Sequence, residues 1–139
     1  MTAKEYLKQI EWKRMLIERD NERLKELREI TVTLRGVSYD TDRVQTSTHS
    51  GVMFGVEKLT DMEKKLHKEI MQYLKLSDRI IAQINGLGNM QYSQVLYLRY
   101  VDCLRWEDIA DRIGIGKRGV FKVHGRALKM FSEKYKEFI

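Results

Sequence analysis

The chain has 139 residues, a formal net charge of +6, one cysteine and no proline. A single cysteine excludes a disulfide-stapled module and a cysteine-rich zinc site, and no apolar run reaches the roughly 20 residues of a membrane span. The first residues are polar and charged, unlike a secretory signal peptide, so a cytoplasmic protein is expected. Proline is disfavoured in helix interiors, and a chain of average composition and this length would hold about seven. The composition therefore predicts an all-α protein.

A long N-terminal helix is predicted for residues 1–35, where no glycine interrupts the chain. Apolar residues recur there every three or four positions, which is the spacing of a coiled-coil seam. The apolar positions are Tyr6, Ile10, Ile17, Leu24, Leu27 and Leu34, and the seam is interrupted by Lys13, Asp20 and Thr31. A helix of this length needs a partner, so residues 1–35 are predicted to form a stalk or an oligomerisation element.

Residues 36–56 are rich in Ser, Thr, Asp and Gly and are predicted to be a flexible connector. A central long helix follows at 57–88, and Thr60 and Asp61 are its candidate caps. Thr60 and Glu63 have the spacing of a capping box, and the glycines at 86 and 88 end the helix. The two long helices are expected to form an antiparallel hairpin or a homodimeric coiled coil. The sequence leaves both arrangements open.

The segment 89–139 divides into three shorter helices, predicted at 91–101, 105–113 and 117–138. The last two match a helix-turn-helix, in which two short helices pack at a steep angle through a tight turn. That geometry requires a small residue at the crossing, Ala110, and a glycine four positions later, Gly114. It also requires a branched apolar residue ten positions after the alanine, which is Val120. The predicted helix-turn-helix core is Trp106, Ile109, Ala110, Ile113, Gly114, Val120 and Val123.

The positive charge is concentrated in the same segment. Residues 89–139 hold ten Lys and Arg against six Asp and Glu, and no acidic residue lies between Asp111 and Glu133. If Val120, Val123 and the apolar positions that follow face the core, the basic residues face outward, as major-groove recognition requires. The predicted DNA-binding residues are Lys117, Arg118, Phe121, Lys122, Arg126 and Lys129. For Phe121, contact with a thymine methyl and a place in a protein interface are both open.

No constellation of catalytic or metal-binding residues is recognisable. His49, His67 and His124 lack metal-ligand spacing, so neither an enzyme, nor a metal site, nor a cofactor is expected. His124 is interpreted as a packing residue or a phosphate contact. Cys103 is interpreted as a small residue in a turn.

Three segments of the C-terminal half, together with part of the connector, resemble the ArpU/RinA-type phage transcriptional regulators, whose C-terminal half is similar to region four of bacterial sigma factors. The matching segments are 96–101, 104–110 and 120–128, with 39–40 and 43–47 in the connector, and the resemblance covers roughly 36–130. It implies a phage or prophage regulator that activates transcription, often of late genes, in a bacterial host cell. Gly116 departs from the pattern, since Ser or Thr usually caps the recognition helix.

The sequence thus predicts a sequence-specific transcriptional regulator that reads the major groove of double-stranded DNA with helix 117–130. A monomer or homodimer is expected, with RNA polymerase as a further partner and no membrane association. Two other functions remain open at this point. One is a phage small terminase subunit, which binds DNA for packaging as a ring. The other is a sigma-like adaptor that binds RNA polymerase instead of DNA.

Overall fold

The computed structural model describes residues 1–40 and 45–139, and the side chains of 1–34 and 51–139. The prediction of an all-α fold is confirmed, since these residues form helices and no strand. The helices are α1 (Ala3–Asp40), α2 (Gln45–Asn85), α3 (Met90–Leu96), α4 (Trp106–Ile113) and α5 (Lys117–Lys134). A π-helical turn at Tyr97–Val101 extends α3, and a short 3₁₀ helix covers Lys136–Phe138. No helix among the described residues is both long and apolar enough to cross a membrane.

The chain divides into two compact units. The first unit combines Met1–Arg14 with Tyr73–Ile139, and the second unit is Met15–Gln72. The sequence predicted a separate domain at 89–139, so the first unit differs from that prediction. It also contains the first turns of α1 and the last turns of α2.

Two apolar clusters hold the first unit together, and α5 contributes to both. One cluster joins the start of α1 and the end of α2 to α5; its fully buried members are Leu7, Ile10, Ile80, Ile84, Leu96, Ala127 and Phe131. The other lies between α3, α4 and α5, and its buried members are Val95, Leu98, Ile109, Val120 and Val123. The α1 and α2 ends are also joined by a buried hydrogen bond of 2.9 Å, which the hydroxyl of Tyr6 donates to Oε1 of Gln83.

The second unit is an antiparallel pair formed by α1 and α2 within one chain. Arg28 forms an ion pair with Glu63 at 3.0 Å, and Asp20 lies 4.0 Å from Lys65. The seam predicted for α1 faces inward here, because Leu24 and Thr31 are buried. In the described residues of this unit, α1 and α2 of one chain pair with each other.

The structure differs from the predicted connector at 36–56. In the described part of that range, α1 continues to Asp40 and α2 begins at Gln45, while residues 41–44 lie outside the described residues. The glycine at position 55 has a packing role: a Cβ there would lie 3.0 Å from Oγ1 of Thr31. Thr60, predicted as a helix cap, instead donates its hydroxyl to the carbonyl of Val56 within α2. At Gly55, a residue typical of loops therefore allows close approach of two helices.

The contribution of α1 to the first unit can be tested with a matched pair of substitutions on one helix. Ile10 is fully buried, whereas Ile30 is 52% exposed. We expect Ile10→Ala to lower the free energy of unfolding by about 2–5 kcal/mol, because it leaves a cavity. Ile30→Ala should change it by about 0.5 kcal/mol or less. Urea unfolding followed by circular dichroism measures both, and equal effects of the two substitutions would contradict this core.

Candidate nucleic-acid interface

The turn between α4 and α5 has the geometry that the sequence predicted. Gly114 ends α4 in the left-handed conformation, with φ +79°, and its N–H donates to the carbonyl of Ala110 at 2.9 Å. Only glycine adopts this conformation without a steric penalty. Gly116 then precedes α5 without a side-chain cap. Three residues, 114–116, separate the end of α4 from the start of α5.

The predicted helix-turn-helix core packs together. Ile109, Val120 and Val123 are buried, and the partly buried Trp106, Ala110 and Ile113 pack against them. Val120 and Val123 lie on the inner face of α5, which settles which side of this helix meets the core. The opposite side is left to water.

The predicted DNA-binding residues all lie on that solvent-facing side of α5. Each of the six is exposed: Lys117, Arg118, Phe121, Lys122, Arg126 and Lys129. Five of these side chains are positively charged. They follow one helix over about 18 Å, given a rise of about 1.5 Å per residue. The helix therefore presents a continuous basic surface.

A cluster of aromatic side chains packs against the first turns of α5. The ring of Trp106 packs edge-on against Phe121 and His124, with ring centroids 5.1 and 4.7 Å apart. The guanidinium of Arg99 lies 4.3 Å from the Trp106 ring, in the range of a cation–π contact. Arg99 also donates to the carbonyl of Leu104 at 2.8 Å, which connects the π-helical turn to the segment that precedes α4.

His124 is a buried packing residue. Its Nε2 is hydrogen-bonded to the hydroxyl of Tyr100 at 2.7 Å. Burial, together with the positive charges of Lys4 and Arg99, lowers the pKa of His124 to about 4, and burial raises the pKa of Tyr100 to about 12. The imidazole is therefore neutral near pH 7. Of the two interpretations from the sequence, the structure supports packing and not an ionic phosphate contact.

Two features of the interface could not be found by sequence spacing. Glu107, in the first turn of α4, forms an ion pair with Lys117 at 2.8 Å. The π-helical turn positions Arg99, and it is followed by Cys103 with φ +54°. The thiol accepts a hydrogen bond from Arg14 at 2.8 Å, and burial raises its pKa. Arg14 and Cys103 lie 89 positions apart, and Glu107 and Lys117 lie on different helices, so the periodicity of a single helix predicts neither contact.

No cluster of three or more His, Cys, Asp or Glu side chains with a geometry suited to a metal ion occurs among the residues that the structure describes. Comparisons of the chain with protein-family models, with curated proteins and with solved structures found no match. The features of this chain that indicate a function are the geometry and the charge of α4 and α5.

Gly114 and Gly125 offer a test of the turn, since the same substitution should act in opposite directions. At Gly114, alanine must adopt φ +79°, so Gly114→Ala should destabilise the protein by about 1–2 kcal/mol. At Gly125, in the interior of α5, a Cβ meets nothing within 4 Å, so Gly125→Ala should stabilise it by up to about 1 kcal/mol. Thermal unfolding measures both. Stabilisation by Gly114→Ala would contradict the left-handed turn.

The lowered pKa of His124 predicts a dependence of stability on pH. As the pH falls below the ordinary histidine value of 6.5, the unfolded chain takes up a proton before the folded protein does. The stability of the wild type should therefore fall between pH 6.5 and about 4. His124→Gln should remove this part of the fall while leaving the part that arises from carboxylates. Urea midpoints measured across this range test the prediction, and parallel pH profiles of the two proteins would refute it.

Proposed function

We propose that this protein is a sequence-specific DNA-binding transcriptional regulator that inserts the exposed side of α5 into the major groove. The observation that supports the proposal is the basic surface of α5, on a helix that follows a left-handed turn at Gly114 and packs against α4 through Val120 and Val123. The major groove, about 12 Å wide, admits an α-helix. In helix-turn-helix proteins the second helix enters the groove, and here that helix is α5.

The charges divide into two roles in this proposal. The lysines at 117, 122 and 129 neutralise phosphates and release counterions, which supplies affinity for any sequence. Arg118 and Arg126 are the candidates for base recognition, since a guanidinium binds the O6 and N7 of guanine through two hydrogen bonds. Phe121 is held edge-on by Trp106, and its exposed part is suited to contact with a thymine methyl.

The biological role follows from the resemblance to ArpU/RinA-type regulators. We propose a phage or prophage activator, often of late genes, that acts in the bacterial cytoplasm and contacts RNA polymerase once bound. A homodimer would place two α5 helices on half-sites about 34 Å apart. No cofactor or catalytic step enters this mechanism.

The test removes two charges from α5 and compares the result with the loss of two charges elsewhere. Arg118→Ala/Arg126→Ala removes two exposed cations of the interface. Lys25→Ala/Lys58→Ala, in the second unit, removes the same charge from exposed positions. We expect the α5 variant to lose affinity for its preferred duplex by about 1–3 kcal/mol for each arginine, because each is assigned to recognition of a base. The control should stay near the wild type.

The sequence preference is measured by selection from a random duplex library, which should yield one motif for the wild type and a relaxed motif for the arginine variant. Equal affinities of the two variants would contradict the role of α5. Chromatin mapping in the host should place the bound sites at promoters. Sites confined to a packaging locus, with a stable ring of subunits in solution, would indicate a terminase subunit. Binding of polymerase without DNA binding would indicate an adaptor.

A further inference from the structure

The ion pair of Glu107 and Lys117 connects the first turns of the two helices of the motif. Oε1 of Glu107 lies 2.8 Å from Nζ of Lys117, and the two side chains are 58% and 51% exposed. The hydrogen bond from Lys117 is the main cause that lowers the pKa of Glu107, so this carboxylate stays ionised well below pH 7. A negative charge therefore lies at the edge of the basic surface.

Lys117 differs in this respect from the other cations of α5. Arg118, Lys122, Arg126 and Lys129 form no ion pair with any residue that the structure describes. These four side chains can contact a phosphate without first breaking an ion pair. The ammonium of Lys117 is instead held by a carboxylate on α4, so it must exchange one anionic partner for another before it can contact DNA.

We propose that Glu107 competes with a DNA phosphate for Lys117 and thereby limits the affinity and the salt dependence of DNA binding. This inference rests on the proposed function. Exposed ion pairs are weak, so a phosphate can displace the carboxylate. After displacement, Glu107 is left unpaired beside the DNA backbone, where two negative charges repel. The Glu107–Lys117 pair thus lowers the affinity for non-specific DNA, while the other four cations of α5 contact DNA without competition from a carboxylate.

Competition and its main alternatives predict opposite effects on DNA affinity when the charge of Glu107 is removed. A glutamate at the start of the first motif helix could instead accept a hydrogen bond from the amino group of cytosine, or could orient Lys117 toward the DNA. In both cases, removal of its charge would weaken binding. Competition requires that removal strengthens it, because the carboxylate opposes the DNA and restrains the lysine.

The experiment compares Glu107→Gln with the wild type on a labelled duplex of random sequence, at salt concentrations between 50 and 200 mM. We expect the variant to bind at least about threefold more tightly at the lowest salt. In the wild-type complex the freed Glu107 carboxylate takes up a cation and offsets the counterion that the Lys117 contact releases. Without this uptake, the salt slope of the variant should be steeper by about 0.9, so its advantage should shrink by about threefold over this range.

Two further variants separate competition from a general effect of charge. Asp111→Asn removes an exposed negative charge from the same helix, and Asp111 has no ion pair among the described residues. It should leave the salt slope unchanged. Lys117→Met removes the ammonium group for which Glu107 and the phosphate compete. In that background, Glu107→Gln should gain no more affinity than Asp111→Asn does in the wild type.

Weaker or unchanged binding by Glu107→Gln would overturn the inference, as would an equal gain in the Lys117→Met background. In either case, salt-dependent DNA binding by the wild type would leave the proposed function standing. A wild type that does not bind duplex DNA at low salt would instead overturn the proposed function, and the competition with it. Circular dichroism of each variant confirms that the helices remain folded.

Discussion

Burial of one side of α5 is the constraint on which the first unit depends. The same helix contributes Val120 and Val123 to the cluster with α3 and α4, and Ala127 and Phe131 to the cluster with α1 and α2. Each buried aliphatic or aromatic side chain contributes about 1.5–3 kcal/mol through removal from water. Because residues from one side of α5 are buried in both clusters, the helix cannot rotate about its axis without exposing them to water. The direction of its basic side is set by its core.

The polar groups beneath that surface satisfy one another instead of reaching solvent. A buried hydroxyl or imidazole without a partner is costly, and Tyr100 and His124 are hydrogen-bonded to each other at 2.7 Å. Arg99 stacks on Trp106 and caps a carbonyl, so its charge helps to hold the motif in place. The positive charge offered to a ligand therefore comes from the exposed Lys and Arg side chains, while the histidine serves packing.

The second unit shows how composition can mislead. Gly, Ser and Thr have low helix propensity, and their density at 36–56 predicted a connector. Gly55 nevertheless lies in a helix, because the missing side chain lets Thr31 pack against its backbone. Propensity describes an isolated segment, whereas the contact between α1 and α2 changes the balance for both.

The sequence by itself determined the all-α class, the turn at Gly114 and the division of α5 into a buried and an exposed side. These features depend on residues within about ten positions of one another, where periodicity and backbone preference act directly. Only the tertiary structure decided that Leu7 and Ile10 share a core with Phe131, that Glu107 holds Lys117, and that His124 is buried. Each of these depends on how side chains of separate helices pack against one another. The path of the whole chain determines which helices pack together, and the residue spacing within one helix does not specify it.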